Sequence, residues 1–435
     1  MSNALEITAT TVDPALLDLP WEVPLAQWPA EIITALPRGL SRHVVRFINL
    51  SDRVIAVKEI GKTVAHHEYG MLRDLSRLGA PAVIPTAVIT GRTDPQGEEL
   101  NAVLVTEHLE FSLPYRALFS QYMTPDTATR LIDALAVLLV RLHLLGFYWG
   151  DVSLSNTLFR RDAGAFSAYL VDAETGELHP SLTRGQREYD VDLARTNIIG
   201  ELMDLQAGSF FPDTEDPIEV GDRIRSRYEE LWSELTSSET IEANQRWKVT
   251  DRIRRLNNLG FNVGELTITT DVDGTRIVIR PKVVDAGHHH RKLMRLTGMD
   301  VGELQAQRML NDLETFRVTT GRSSLPLEIV AHEWMREVFE PVIKAVPPEL
   351  ALKLEPAQVF HEFLDHRWFM GQQAGYDVPL EDVIHSYVNF VLPTKRDEAL
   401  LLDPGDVNSE DFPGLSDDAA AVEEFSRSEV TPDWE

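Results

Sequence analysis

Cysteine is missing from all 435 residues, which excludes disulfides, thiolate nucleophiles and cysteine-ligated zinc. Basic residues are scarce. Lys and Arg number 41 against 69 Asp and Glu, and the formal charge of -28 makes a field that repels phosphate backbones and anionic membranes at long range. Nucleic acid is therefore not expected as a partner, although a local basic patch could still act. No apolar run approaches the roughly 20 residues that cross a bilayer. The first segment, MSNALEITATTVDPALLDLP, lacks the basic start and apolar core of a secretion signal, so the expectation is a cytoplasmic protein without a membrane span. What is present is ordinary globular material, with 43% hydrophobic residues over a length that suits two domains.

Residues 1–38 are rich in Pro and acidic residues and read as an irregular lead-in with Trp21 and Trp28 as anchors. From residue 43, HVVRFINLSDRVIAVKEI has the β-branched bias of a hairpin turning at NLSD. Tyr69, Leu72, Leu75 and Leu78 then recur at helical spacing before Gly79, and TAVIT and NAVLVTEHL read as two further strands. From Thr124 the helical period returns, with Leu131, Leu135, Leu138, Leu142 and Leu145 along one face of a buried central helix. Strand-like NTLFRR and SAYLVDAE and a helix through REYDVDLARTNIIGELMDLQAG follow. The turn formers of SFFPDTEDP, residues 209–217, mark the expected domain boundary. This gives an α+β chain: residues 39–212 with a sheet-rich lobe to about 108 and a helical lobe after it, a mixed, mainly helical unit over 213–402, and an acidic disordered tail from 403.

One series of polar residues carries chemistry. Lys58 ends a strand in VIAVKEI, Glu68 lies on the next helix, and Asp151, Asn156 and Asp172 follow in GDVSLSN and LVDAETGE. Phosphoryl transfer asks a protein mainly for positioning and charge neutralisation. A strand lysine fixed by a helix glutamate can grip phosphates, an aspartate can orient an attacking hydroxyl, and an asparagine five residues later can turn to a magnesium ion. A second aspartate suits that hard cation as an anionic oxygen ligand.

In this order and setting the residues resemble the protein-kinase-like superfamily, and most the bacterial lipopolysaccharide-kinase-like and aminoglycoside-phosphotransferase-like proteins. The resemblance implies a bilobal kinase-like domain that uses ATP and Mg2+ to phosphorylate an alcohol group. Asp151, Lys58 and Glu68 would be catalytic, and Asn156 and Asp172 would hold metal. VTEHLEF resembles the hinge, where Glu107, His108 and Leu109 would meet adenine; Ser41 and Arg42 stand where the phosphate loop should be; and Asp190 or Asp192 matches the aspartate that braces the catalytic loop. HEFLDHRWFMGQQAGYDV and HHHRKLMRLTG resemble the domain of unknown function fused to such kinases in proteins of the actinobacterial type. It implies no activity. The acceptor is a hydroxyl-bearing substrate that the sequence does not identify.

A poor phosphate loop supports an alternative, a nucleotide-binding pseudokinase that regulates or scaffolds a protein partner through its C-terminal domain, and two further departures remove no charged catalytic group. The phosphate-loop segment LPRGLSRHVVRF holds only Gly39, Trp149 replaces the usual histidine, and DAE replaces a glycine-ended metal motif. Other temptations are weaker. His361 and His366 in HEFLDH are five apart, about 140° round a helix, so they do not make a zinc pair. The basic island GHHHRKLMR reads as a solvated helix start before a docking site, and RWKVTDRIRR as a surface helix before an RNA contact. Trp334, Trp368 and Phe369 are expected in a core or a domain interface.

Overall fold

A computed structural model describes residues 4–398 apart from 11–12, 35, 37–42, 52, 123–126, 243–246, 259–260, 271–275 and 396. Its first lobe is a five-stranded antiparallel sheet. β1 (Glu6–Ala9), β2 (Val44–Leu50) and β3 (Arg53–Ile60) precede α1 (Lys62–Arg77), and β4 (Pro85–Thr90) and β5 (Ala102–Glu107) complete the order β1-β4-β5-β3-β2. Side chains alternate across a strand, and on β3 the alternation sets two environments. Ile55 and Val57 pack with Leu16, Trp21, Leu25 and Trp28 on the outer face. Ile60 packs with Ala65, Tyr69, Leu72 and Leu75 of α1 on the other, and Lys58 shares that face.

The lead-in is more regular than its composition suggested. β1 pairs with β4, and short 3-10 turns between residues 14 and 32 lay the two tryptophans over the outer face of the sheet. The Trp21 and Trp28 indoles donate to Leu16 O (2.6 Å) and Val23 O (3.0 Å). Buried Arg92 ties the same segment to the sheet through Trp21 O, Val23 O and Glu59. The physical reason is that an antiparallel sheet with both faces apolar needs a cover on each, and this segment supplies the second.

The second lobe follows β6 (Ser112–Pro114) and α2 (Tyr115–Tyr122). Its centre is α3 (Thr127–Leu144), with Leu131, Leu135, Leu138 and Leu142 buried. β7 (Phe147–Tyr148) pairs with β10 (Glu177–Leu178), while β6, β8 (Thr157–Asp162) and β9 (Ala165–Leu170) form a small sheet. α4 (Arg184–Ala207) and α5 (Pro217–Thr236) close the lobe. Residues 209–217 link these two helices within one hydrophobic core, which runs on to Leu256 and Phe261. Asp216 accepts from Ile218 N (2.8 Å) with Pro217 in the first turn, so the turn formers start a helix there.

A separate core begins at Leu293. Ahead of it come β11 (Glu239–Glu242), α6 (Trp247–Asn258), β12 (Phe261–Thr270) and β13 (Arg276–Ala286), the strands in the order β11-β13-β12. The helices α7 (His288–Thr297), α8 (Glu303–Thr319), α9 (Leu327–Trp334), α10 (Glu340–Lys344), α11 (Pro356–Ala374) and α12 (Leu380–Ser386) enclose Trp334, Phe360, Phe363 and Tyr387. Trp334 is a core residue as expected. Trp368 and Phe369 are not, being 66% and 52% exposed, because α11 runs on past its last buried residue, Leu364. The tail from 403 lies outside the described residues.

The two cores meet at β8. Arg160 pairs with Glu355 and Arg161 with Glu398. Asp162 accepts from Gln305 N (2.8 Å) in the first turn of α8. Gly302 permits the approach, since a Cβ there would lie 2.3 Å from the Asp162 carboxylate.

Candidate functional site

Lys58 lies on the face of β3 that α1 covers, and Glu68, a little under two turns along α1, is buried beneath it with 1% exposure. The Lys58 ammonium reaches Glu68 Oε2 at 3.1 Å and Oε1 at 3.3 Å, and Asp172 Oδ2 at 2.6 Å. Burial, and then the Asp172 charge, push the Glu68 carboxyl up to about 7 against the pull of Lys58. Asp172 follows β9, and its Oδ1 accepts from Glu174 N (3.0 Å).

The loop from Trp149 to Asn156 is held from behind. Gly150 takes a left-handed conformation (φ 76°), and both Trp149 N and Gly150 N donate to the buried Asp190 carboxylate at 2.8 Å. Of the two aspartates considered for this brace, Asp190 is the one in contact, and Asp192 pairs with Arg225 on the surface. His143 stands beside Asp190 with Nε2 at 3.1 Å and has the Tyr228 hydroxyl on Nδ1 at 2.8 Å. Burial lowers this imidazole from its usual range against the pull of Asp190, and the Asp190 carboxylate, which can only accept, takes a hydrogen bond from Nε2. Farther along, Glu201 of α4 accepts from Leu154 N, Ser155 N and the Ser155 hydroxyl.

At the front of this loop, Asn156 Nδ2 donates to the Asp151 carbonyl (3.0 Å) and carboxylate (2.9 Å). With the amide nitrogen so fixed, its oxygen is directed elsewhere and accepts no hydrogen bond among the described residues. Asp172 and Glu174, together with Glu68, present carboxylate oxygens, the hard donors that magnesium prefers. Trp149 replaces the usual histidine without leaving a gap, since it is fully buried and its indole donates to Asp172 O (2.9 Å).

Glu174 and His43 were not identified from the sequence. Glu174 Oε2 lies 3.8 Å from Lys58 Nζ and 3.2 Å from His43 Nε2. Ligand atoms of Glu68, Asp172 and Glu174 all lie within 4.8 Å of one another. In the connector between lobes, His108 N donates to Val54 O (3.1 Å) and Leu109 O accepts from Ser112 N (3.3 Å). The His108 ring meets Phe47 edge-on at 5.3 Å, and burial lowers it to about 4. Glu107 pairs with Arg53 (3.0 Å). Ser41 and Arg42 lie outside the described residues.

Other motifs have structural occupations. His361 pairs with Asp365, and His366 contacts Ser386. Arg252 is buried and donates to Glu234 O and Ser237 O. In the basic island, Glu303 accepts from His289 N, the His289 ring and His290 N. This is a partly buried cap of α7 by α8 in place of the solvated helix start expected, while Arg291 remains exposed.

Residues 49–198 match the lipopolysaccharide kinase (Kdo/WaaP) family, and residues 230–392 match a domain of unknown function (DUF4032). The bilobal kinase-like fold followed by a mainly helical domain is the one expected from the sequence. No curated protein matches the chain. Among solved structures, WaaP in complex with acyl carrier protein aligns at 14% identity and a TM-score of 0.34, over 58% of this chain and 99% of that one. Among the described residues no helix is long and apolar enough to cross a membrane.

Proposed function

We propose that this chain, which joins a domain of the lipopolysaccharide kinase family to a DUF4032 domain, is an ATP- and magnesium-dependent phosphotransferase acting on a hydroxyl acceptor. One observation carries the reading. Lys58, Glu68 and Asp172, spread over 114 positions, converge on a single ammonium group, beside a loop in which Asp151 and Asn156 are already hydrogen-bonded to each other. The Asp151 carboxylate would accept and orient the acceptor's proton. Lys58, held by Glu68, would neutralise phosphate oxygens once its contact with Asp172 opens. Asn156 and Asp172, with Glu174 adjacent, would hold magnesium, which when bound supplies charge neutralisation for the phosphates.

A radiolabel transfer assay on the full chain with Mg2+ and ATP, run against cell extract, tests the reading. Asp151→Asn should abolish transfer and leave nucleotide affinity within about twofold. Unchanged turnover in that variant would refute the role of Asp151. The direct ion pair between Lys58 and Asp172 at 2.6 Å favours a second reading, a pseudokinase whose lysine is occupied internally. Nucleotide binding without transfer to any extract component would support that reading.

A further inference from the structure

Behind the connector between the lobes lies a cavity of about 520 Å³ that none of Lys58, Glu68, Asp151, Asn156 and Asp172 lines. Its size falls in the range of small-molecule sites. Three parts of the chain wall it: residues 79–84 and 107–109 of the first lobe, α3 and β9 of the second, and residues 300–304 of the C-terminal domain. Much of the wall is apolar, with Val137, Leu138 and Phe166 among its residues.

Most charged groups around the cavity are already satisfied. Asp162 accepts from Gln305 N and the Ser167 hydroxyl. Glu303 is taken by His289 and His290. Arg160 pairs with Glu355, and Arg227 lies 3.4 Å from Asp133. Arg141 differs. Its guanidinium lines the cavity yet makes no hydrogen bond or ion pair among the described residues. The Tyr169 hydroxyl, from β9, lines the same space and also has no hydrogen-bond partner among them. The two groups are near enough to interact electrostatically, and burial lowers the arginine and raises the tyrosine. The carboxylates that act on Arg141 from a distance, Glu303 and Asp162, are engaged by other donors, and an anion seated directly on a desolvated guanidinium relieves the cost of its burial. A second donor alongside gives the anion a direction.

We propose that this cavity binds a small amphipathic carboxylate, its head on the Arg141 guanidinium and Tyr169 hydroxyl and its apolar body against Val137, Leu138 and Phe166. A singly charged head suits the site better than a phosphate monoester. Arg291 Nη1, Arg141 Nη2 and Glu303 Oε2 lie 3.6, 3.9 and 4.0 Å from the point a Cβ on Gly287 would occupy, so two guanidiniums and one carboxylate leave one net positive charge there, which matches a singly charged head. The groups that would hold the ligand, Arg141, Tyr169, Val137, Leu138 and Phe166, are none of those assigned to phosphoryl transfer, although the connector residues 107–109 expected to meet adenine form part of the wall.

Isothermal titration of the full chain with octanoate, octyl phosphate and uncharged octanol tests it, alongside Arg141→Met and Tyr169→Phe. Octanoate should bind saturably, about tenfold or more tighter than either other probe, and Arg141→Met should lose about tenfold or more. Tyr169→Phe should lose several-fold. Without ligand, Arg141→Met should melt no lower than the parent protein, because the variant removes an unpaired charge. Absence of saturable octanoate binding, equal affinity in Arg141→Met, or tighter binding of octyl phosphate would each overturn the proposal. A lowered melting temperature for unliganded Arg141→Met would overturn it too, by giving Arg141 a structural role.

Discussion

Replacing Asp190 with asparagine tests the frame on which the candidate active site stands. Both carboxylate oxygens are committed: one to Trp149 N and the His143 ring, the other to Gly150 N. Asparagine has the same shape but offers one acceptor oxygen and places an NH2 group where the second oxygen stood. Whichever way the amide turns, at least one backbone N–H loses its acceptor and faces another donor. An unsatisfied buried donor costs about 1–3 kcal/mol, with hydrogen bonds to a charged group at the upper end. The variant should therefore lose about 2–4 kcal/mol, a fall of roughly 5–15 °C in Tm for a unit of this size. Thermal and urea unfolding followed by circular dichroism measure this directly. Asp192→Asn is the control: that carboxylate is 58% exposed, in a surface pair with Arg225, and its loss should cost less than about 1 kcal/mol. Equal stability of the two variants would refute the assignment of Asp190 as the brace.

Glu68 gives a pH signature. With its folded pKa raised from 4.5 to about 7, the folded chain binds more protons than the unfolded chain between those values, so stability falls as pH rises through that window. The loss is at most about 3 kcal/mol, and urea unfolding of Glu68→Gln should show a flatter profile between about pH 5 and pH 8. Trp149→Phe keeps the ring in the core but removes the donor to Asp172 O. It should cost about 1–2 kcal/mol and weaken magnesium-dependent nucleotide binding more than binding without the ion, as titration would reveal. Asp162→Ala strips the first turn of α8 of its acceptor and should destabilise by about 1–3 kcal/mol, with faster hydrogen exchange at Gln305.

Much of the site was legible because order and spacing travel with secondary structure. Period-two alternation put Lys58 on the covered face of β3, and helical spacing put Glu68 under it. What escaped the sequence was settled by distance in three dimensions. Asp190 and Asp192 differ only in which side of α4 meets the loop, and no local pattern tells those sides apart. Glu174 looked like a lost glycine until its contacts with Lys58 and His43 were visible. Residues 209–217 carry turn chemistry, and the helix they start packs into the core of the preceding lobe. The apolar spacing of α11 continues into Trp368 although the core it faces has ended.

The placement of β8 joins these pieces mechanically. It leaves the loop at Asn156 and ends six residues later at Asp162, so the strand that carries the candidate metal ligand also carries the polar link to the C-terminal domain. The two ion pairs at its end, through Arg160 and Arg161, retain side-chain exposures of 20% and 28% on the arginine, and partly solvated pairs contribute little. Asp162 is 2% exposed and accepts from Gln305 N in the first turn of α8, whose N-cap, Gly302, has no side-chain oxygen of its own to offer. Pairing of β8 with β6 and β9 stiffens the six residues between. One short strand, paired on both sides, therefore separates the loop that bears Asn156 from the polar link to α8, with no unpaired loop between them.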